Sequence, residues 1–312
     1  MESALIELRG NMVSSATMSA YRRSWDNFSQ FYNDYIGGNL SLPISIPCLT
    51  LFIAFLHGRG FSPPSIASCM SAIAYLHKLR NLPDPTKSFV VSKLIWAAKN
   101  LRAQPDIRLP VTKEILHKLL VATPRVTSSH YKSVMFQTAL VLGFNAFLRI
   151  GEMLPSSKSR AANCLHLHDL IIQSDGLILS FRRFKSSNTQ GSQTLRLSAK
   201  TSCCPRRIPR RYCGILLGCC PLVHTREFLA VRGTAPGLLF CYPCGSPFLR
   251  REFDNTLKRA LSFCGLDSSR FKGHSLRIGA ATQSAIEGKS DAYIRAAGRW
   301  ASDAFRKYIR IS

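Results

Sequence analysis

The chain has 312 residues, with 42 Lys and Arg against 17 Asp and Glu, a formal net charge of +25 and an isoelectric point near 10.1. Such an excess must face a polyanion or be solvated against its own repulsion, which makes nucleic acid the leading partner. A hydrophobic content of 46% supports a sizeable core. No apolar run reaches the ~18–20 residues that cross a bilayer, and no membrane partner is expected. The opening MESALIELRG lacks the apolar stretch of a secretory signal.

The N-terminal third reads as all-helical. Met18, Tyr21, Trp25, Phe28, Tyr32 and Tyr35 recur at steps of three and four, which lines one face of a long helix. Ser14 or Ser15 caps its start and Gly37-Gly38 ends it. A second helix is predicted from about Pro47 to Gly58. A third follows Pro63-Pro64, carries Ile66, Met70, Ile73 and Leu76 on one face, and stops before Pro83; a fourth covers Lys87 to Arg102. Short helices joined at prolines predict a compact bundle.

The run from Ala103 to Pro110 holds two prolines among polar residues and is the best domain boundary, dividing a helical unit over 1–104 from a second unit over 105–312. Thr112 caps the next helix, and a long apolar helix is predicted over about Tyr131 to Phe147. After Pro155 the period changes. Leu165, Leu167 and Ile171 alternate with polar residues, Ser174-Asp175-Gly176 turns the chain, and Leu177, Leu179 and Phe181 alternate again, which predicts a β-hairpin. Gln193 to Leu197 is a candidate third strand. From Thr201 to Gly218 neither period holds. This stretch carries Arg206, Arg207, Arg210 and Arg211 with Cys203, Cys204 and Cys213, and a mobile loop is expected there. From Leu222 helical spacing returns and holds to the end. The fold class is therefore mainly α with a small antiparallel β-sheet.

Several residues invite a chemical reading. His274 and Arg277 stand at i and i+3, on one face of a helix. Arg149 follows an apolar helix and has Glu152 three residues on, so it is either a snorkelling cation or a buried guanidinium held by that acid. Lys185 lies just past a predicted strand, and Trp300 and Tyr308 close the chain. Taken singly, each has a bland meaning: a surface salt-bridge arginine, a core tryptophan, a packing tyrosine. Eleven cysteines without a secretion signal read as reduced thiols. Cys241-x-x-Cys244 is ligand-like, but Cys-Tyr-Pro-Cys-Gly-Ser-Pro reads better as a turn between a strand ending at Leu239-Phe240 and a helix from Leu249. No metal site is expected.

In order, Arg149, Lys185, His274-x-x-Arg277, Trp300 and Tyr308 resemble the catalytic series of the tyrosine recombinase (phage integrase) family. Twenty-three residues separate Arg277 from Trp300, which suits that family. His274 to Thr282 and Gly298 to Arg310 are most similar to the endings of recombinases from DIRS-type retrotransposons. The resemblance covers nearly the whole chain and implies a two-domain fold, a helical core-binding domain over 1–104 and an α+β catalytic domain over 105–312, clamping DNA between them. It implies a Tyr308 nucleophile, phosphate contacts from Arg149 and Arg277, and proton transfer or hydrogen bonding by His274. It further implies leaving-group protonation by Lys185, a buttress from Trp300 and orientation of Arg149 or His274 by Glu152. Double-stranded DNA, a homo-tetramer on DNA, a nuclear location and no cofactor follow from the same resemblance. A DNA-binding remnant without cleavage, or a type IB topoisomerase, are the alternatives. Tyr308 follows Trp300 by eight residues, one fewer than in many members.

Overall fold

The computed structural model describes residues 11–102, 106–181, 193–198 and 219–311. The chain divides into two compact units, Met1–Asp106 and Ile107–Ser312.

The described part of the first unit contains helices α1 (Ser15–Tyr35), α2 (Ile46–Gly58), α3 (Pro63–Leu79) and α4 (Phe89–Leu101). Each is opened by a serine hydroxyl that accepts a first-turn backbone N–H: Ser14 from Thr17, Ser45 from Cys48, Ser62 from Ser65 and Ser88 from Val91. Such a cap stabilises a helix by about 1 kcal/mol. The core gathers Phe28, Phe31, Leu49, Phe52, Ile66 and Ile73. The expected face of α1 is borne out in part, with Trp25 and Tyr32 packed half-buried against this core. Of the six residues predicted on it only Phe28 is buried; Ser24 and Phe31 are buried with it, while Tyr35 is 61% exposed. Phe28 and Phe31 both pack on Phe52, which turns the inward stripe toward Phe31 and leaves the tyrosines at its rim. The α3–Ile44 junction is sealed by buried His77, whose Nε2 accepts the Ile44 N–H at 3.0 Å while Nδ1 pairs with the Ile73 carbonyl at 2.8 Å. A backbone N–H can only donate, so the ring carries its proton on Nδ1.

The second unit is built around α6 (His130–Asn145), in which every residue from Ser133 to Phe144 except Gln137 is buried. A helix apolar on all sides belongs in a core. Helices α5 (Lys113–Val126), α8 (Pro221–Arg232) and α10 (His274–Ile286) pack against it. The remaining elements are the one-turn helix α7 (Ile150–Met153), α9 (Arg250–Phe263), α11 (Asp291–Gly298) and a closing 3-10 segment, Asp303–Tyr308. Gly279 on α10 meets the chain just before α5: a β-carbon there would lie 1.9 Å from the Val111 carbonyl oxygen. The Val111 N–H donates to the Ser275 carbonyl at 3.0 Å, so this contact seats α10 directly against backbone.

Among the described residues the sheet has three antiparallel strands, β1 (Leu170–Ile172), β2 (Gly176–Phe181) and β3 (Gln193–Ser198), in the order β1-β2-β3. Leu177, Leu179 and Phe181 face the core from β2. The first arm of the hairpin is shorter than expected. Leu167–Asp169 is a 3-10 turn, because Asp169 reaches back to accept the His166 N–H at 2.9 Å and folds that stretch off the ladder. Helical structure also does not run unbroken from Leu222. Between α8 and α9 the chain makes only isolated bridges, His166 with Leu238 and Cys241 with Pro247, so the expected strand ending at Leu239-Phe240 is absent among the described residues. Buried Arg232 organises that irregular stretch by donating to the carbonyls of Gly233, Ala235, Leu238 and Leu239 at 2.7–3.1 Å. Lys185 and the Cys- and Arg-rich stretch 201–218 lie outside the described residues.

Candidate active site

The site is assembled where α7, α10 and the segment after α11 meet. α6 ends at Asn145, and Phe147 takes a left-handed conformation (φ 50°) that reverses the chain into α7. Arg149 is the residue before α7 and is held by Glu152, which accepts its backbone N–H at 2.8 Å and its Nη1 at 3.0 Å. Its side chain keeps 24% exposure, so the guanidinium is anchored and still reachable.

His274 opens α10 and Arg277 follows one turn later on the same face. Arg277 is fully buried. Its Nη1 donates to the Phe147 carbonyl and its Nη2 to the Gly298 carbonyl, while Nε has no partner. Both carbonyls lie at left-handed turns, at Phe147 itself and just before Arg299 (φ 55°). Strained backbone of this kind persists when the surroundings over-determine it and recurs at functional sites. The Arg277 ζ-carbon sits 4.0 Å from the Trp300 ring centroid and 5.8 Å from that of Tyr308. Burial, and then the positive charge of Arg149, push Arg277 down to about 9. A buried cation facing carbonyls and a π-face is short of negative charge, and an anion arriving beside it would supply what is missing.

Trp300 is itself only 8% exposed. It fits because Gly298 has no side chain: a β-carbon there would lie 1.6 Å from the Trp300 Cζ3. Tyr308 ends the 3-10 segment that buried Phe305 anchors. Its ring centroid stands 5.1 Å from His274 and 5.0 Å from Trp300. Thr282 fixes its backbone, donating from Oγ1 to the Tyr308 carbonyl and accepting the Arg310 N–H, each at 3.1 Å.

Six of the seven candidate residues are thus brought together: Arg149, Glu152, His274, Arg277, Trp300 and Tyr308. The seventh, Lys185, lies outside the described residues. Two participants were not picked out from the sequence. Thr282 lies in a string whose resemblance was plain, but nothing local marks its hydroxyl as the tie to Tyr308. Arg299 is 7% exposed and donates from Nη2 to Glu152 Oε2 at 2.7 Å, so one carboxylate serves two arginines. Glu152 and Phe181 also line a cavity of about 420 Å³ with Cys164, His166 and Asp169. Burial pushes the Cys164 thiol up to about 11, which keeps it an un-ionised and poor nucleophile. Among the described residues no group of three or more His, Cys, Asp or Glu side chains is placed to hold a metal ion. The Cys241–Cys244 stretch forms a tight turn, with the Tyr242 N–H donating to the Ser246 carbonyl at 2.8 Å.

No family model matches the chain, and no curated protein matches it. Solved structures do. The XerH site-specific recombinase bound to a palindromic difH substrate, in a post-cleavage complex, matches with a TM-score of 0.64 at 17% identity, over 94% of this chain and 76% of that one. The Tn1549 transposon integrase in complex with circular intermediate DNA matches with a TM-score of 0.64 at 13% identity, over 99% and 94%. A lambda integrase dimer bound to a COC′ core site matches with a TM-score of 0.62 at 13% identity, over 99% and 75%. At these identities the likeness establishes the fold: mostly helical, with a small antiparallel sheet, as in tyrosine recombinases and integrases.

Proposed function

We propose that this chain is a DNA strand-exchange enzyme, a tyrosine recombinase of a mobile element related to the DIRS type, that cuts and rejoins DNA through Tyr308. The observation that carries the reading is the placement of Tyr308 between His274 and Trp300, beside a buried Arg277 that lacks a carboxylate partner of its own. The recombinase and integrase structures of the same fold support it, since their DNA-bound forms show what that architecture holds in those proteins. The net charge of +25 supports a DNA partner independently.

On this reading Arg149 and Arg277 take the non-bridging oxygens of the scissile phosphate, for which planar guanidinium groups are suited. Tyr308 Oη gives up its proton to His274 and attacks phosphorus, a P–O bond to Tyr308 forms, and the P–O5′ bond breaks. The leaving 5′-oxygen takes a proton from Lys185, giving a free 5′-hydroxyl and a 3′-phosphotyrosine. Attack by the 5′-hydroxyl of another strand reverses the step and restores Tyr308. The phosphodiester energy is kept in the covalent link, so neither ATP nor a metal is required. Charge growing on phosphate in the transition state is met by the fixed arginines, His274 and the Trp300 indole N–H. The unit 1–104 serves as core-binding domain and 105–312 as catalytic domain, in a homo-tetramer on double-stranded DNA in the nucleus.

The test is a suicide-substrate reaction with a pool of nicked, labelled duplexes randomised over the exchange core. A covalent protein–DNA band on a denaturing gel, absent with Tyr308→Phe, is the expected result. Salt-sensitive binding with no band from either protein replaces the enzyme by a DNA-binding remnant. Relaxation of supercoiled plasmid by a monomer, with no joined products between duplexes, replaces it by a topoisomerase.

A further inference from the structure

Arg299 stands outside the catalytic series, yet its side chain is unusual in two ways at once. It occupies a left-handed turn at φ 55° and ψ 47°, which glycine adopts freely and a residue with a β-carbon does not. It also buries a guanidinium at 7% exposure, which costs solvation. Both backbone and burial would be better served by glycine. A residue that breaks local rules without local benefit points to a role in the site.

Its contacts indicate the role. Nη2 donates to Glu152 Oε2 at 2.7 Å, the ζ-carbon lies 4.0 Å over the Phe181 ring, and Nε and Nη1 have no partner. The other Glu152 oxygen takes Arg149 Nη1 at 3.0 Å. Arg149 and Arg299 therefore share one carboxylate, and with Arg277 beside them the three guanidinium groups and Glu152 carry a formal balance of 3 − 1 = +2. Without Arg299 the same carboxylate would serve Arg149 alone and the balance would fall to +1.

We propose that Arg299 is a positioning residue of the phosphate site. It shares Glu152 with Arg149, so that Arg149 meets an incoming phosphate with its charge available, and it ties the end of β2, through Phe181, to that carboxylate. The identity of the phosphate as a DNA phosphodiester rests on the strand-exchange reading; the charge balance itself does not.

The test uses the full chain and two readouts. One is the initial rate of adduct formation on the nicked duplexes. The other is site-resolved binding of inorganic phosphate, followed at the Nε–Hε signals of Arg149 and Arg277 in arginine-labelled protein. Arg299→Gly suits the turn and folds, yet should lose about 10- to 100-fold in both readouts, the worth of a charged hydrogen bond. Arg299→Lys should retain most of each. Wild-type behaviour of Arg299→Gly in both readouts would reduce Arg299 to a turn former and overturn the proposal. Loss in Arg299→Gly with an unchanged phosphate response at the Arg149 signal would also overturn it, because the role assigned to Arg299 runs through Arg149. No adduct from wild type, with the phosphate pattern as expected, would end the strand-exchange reading and leave the role of Arg299 standing.

Discussion

Arg277 lays its guanidinium on the face of Trp300, with 4.0 Å from ζ-carbon to ring centroid. Neither side chain holds this position alone: the Gly298 carbonyl accepts from Arg277, and the missing Gly298 side chain makes room for Trp300. The indole is thus both a wall of the pocket and the nearer of the two aromatic faces, with Tyr308, that meet this cation.

Replacing Trp300 separates these two roles. A desolvated cation–π contact contributes up to about 2 kcal/mol, and removing a buried indole costs about 3–5 kcal/mol. Trp300→Ala should therefore lower unfolding free energy by several kcal/mol and slow adduct formation at least about tenfold. Trp300→Phe keeps a ring and should lie between. Denaturant unfolding alongside cleavage rates reads both, and an alanine variant with wild-type values in each would contradict the arrangement.

Gly279 makes a second, purely steric prediction. With the Val111 carbonyl oxygen 1.9 Å from where a β-carbon would go, and that oxygen part of the backbone, no side-chain rotation relieves the clash. Gly279→Ala should displace α10, carrying His274 and Arg277 with it, and destabilise the protein by about 3 kcal/mol or more. Thermal unfolding measures this; a melting temperature equal to wild type would show that α10 is seated differently.

The position of Arg277 sets a pH dependence. Its folded value is pushed down to about 9 from the ordinary 12.5 by burial and by Arg149. Between those values the unfolded chain holds the proton more tightly, so this group makes native stability rise with pH there; below about 9 the charged form carries its full penalty. Anion binding has the opposite sign, because it needs the charge. Sulfate affinity at the Arg277 Nε–Hε signal should fall as pH rises through about 9, and bound anion should move that midpoint upward. Affinity that stays level across this range would remove the argument that the pocket strains its own arginine.

Much of this was legible in the sequence, and the physical reason is locality. Ser14 ahead of α1 and the prolines that open α2 and α3 act within a few residues of where they stand, so those helix starts could be read directly, whereas the serine caps of α2 to α4 were not singled out. Arg149, His274, Arg277, Trp300 and Tyr308, picked out by their resemblance to an ordered family series, are brought together in the structure, with Glu152 placed beside Arg149 by a three-residue step, while Lys185 lies outside the described residues. What stayed hidden depends on distant partners. Arg299 meets an acid 147 positions earlier in the chain. The short first arm of the hairpin depends on Asp169 turning back to His166 rather than on the alternation of Leu165, Leu167 and Ile171. The inward stripe of α1 was set by Phe52 on another helix, which no period within α1 reveals.

Strand exchange as proposed requires that Tyr308 becomes covalently joined to DNA. The most direct measurement is to digest the trapped protein–DNA adduct and identify which of the nine tyrosines carries the nucleotide. The expected product is a 3′-phosphate linked to Tyr308 and to no other residue. A linkage to Tyr293, which is 50% exposed, or to any side chain other than Tyr308, would contradict it.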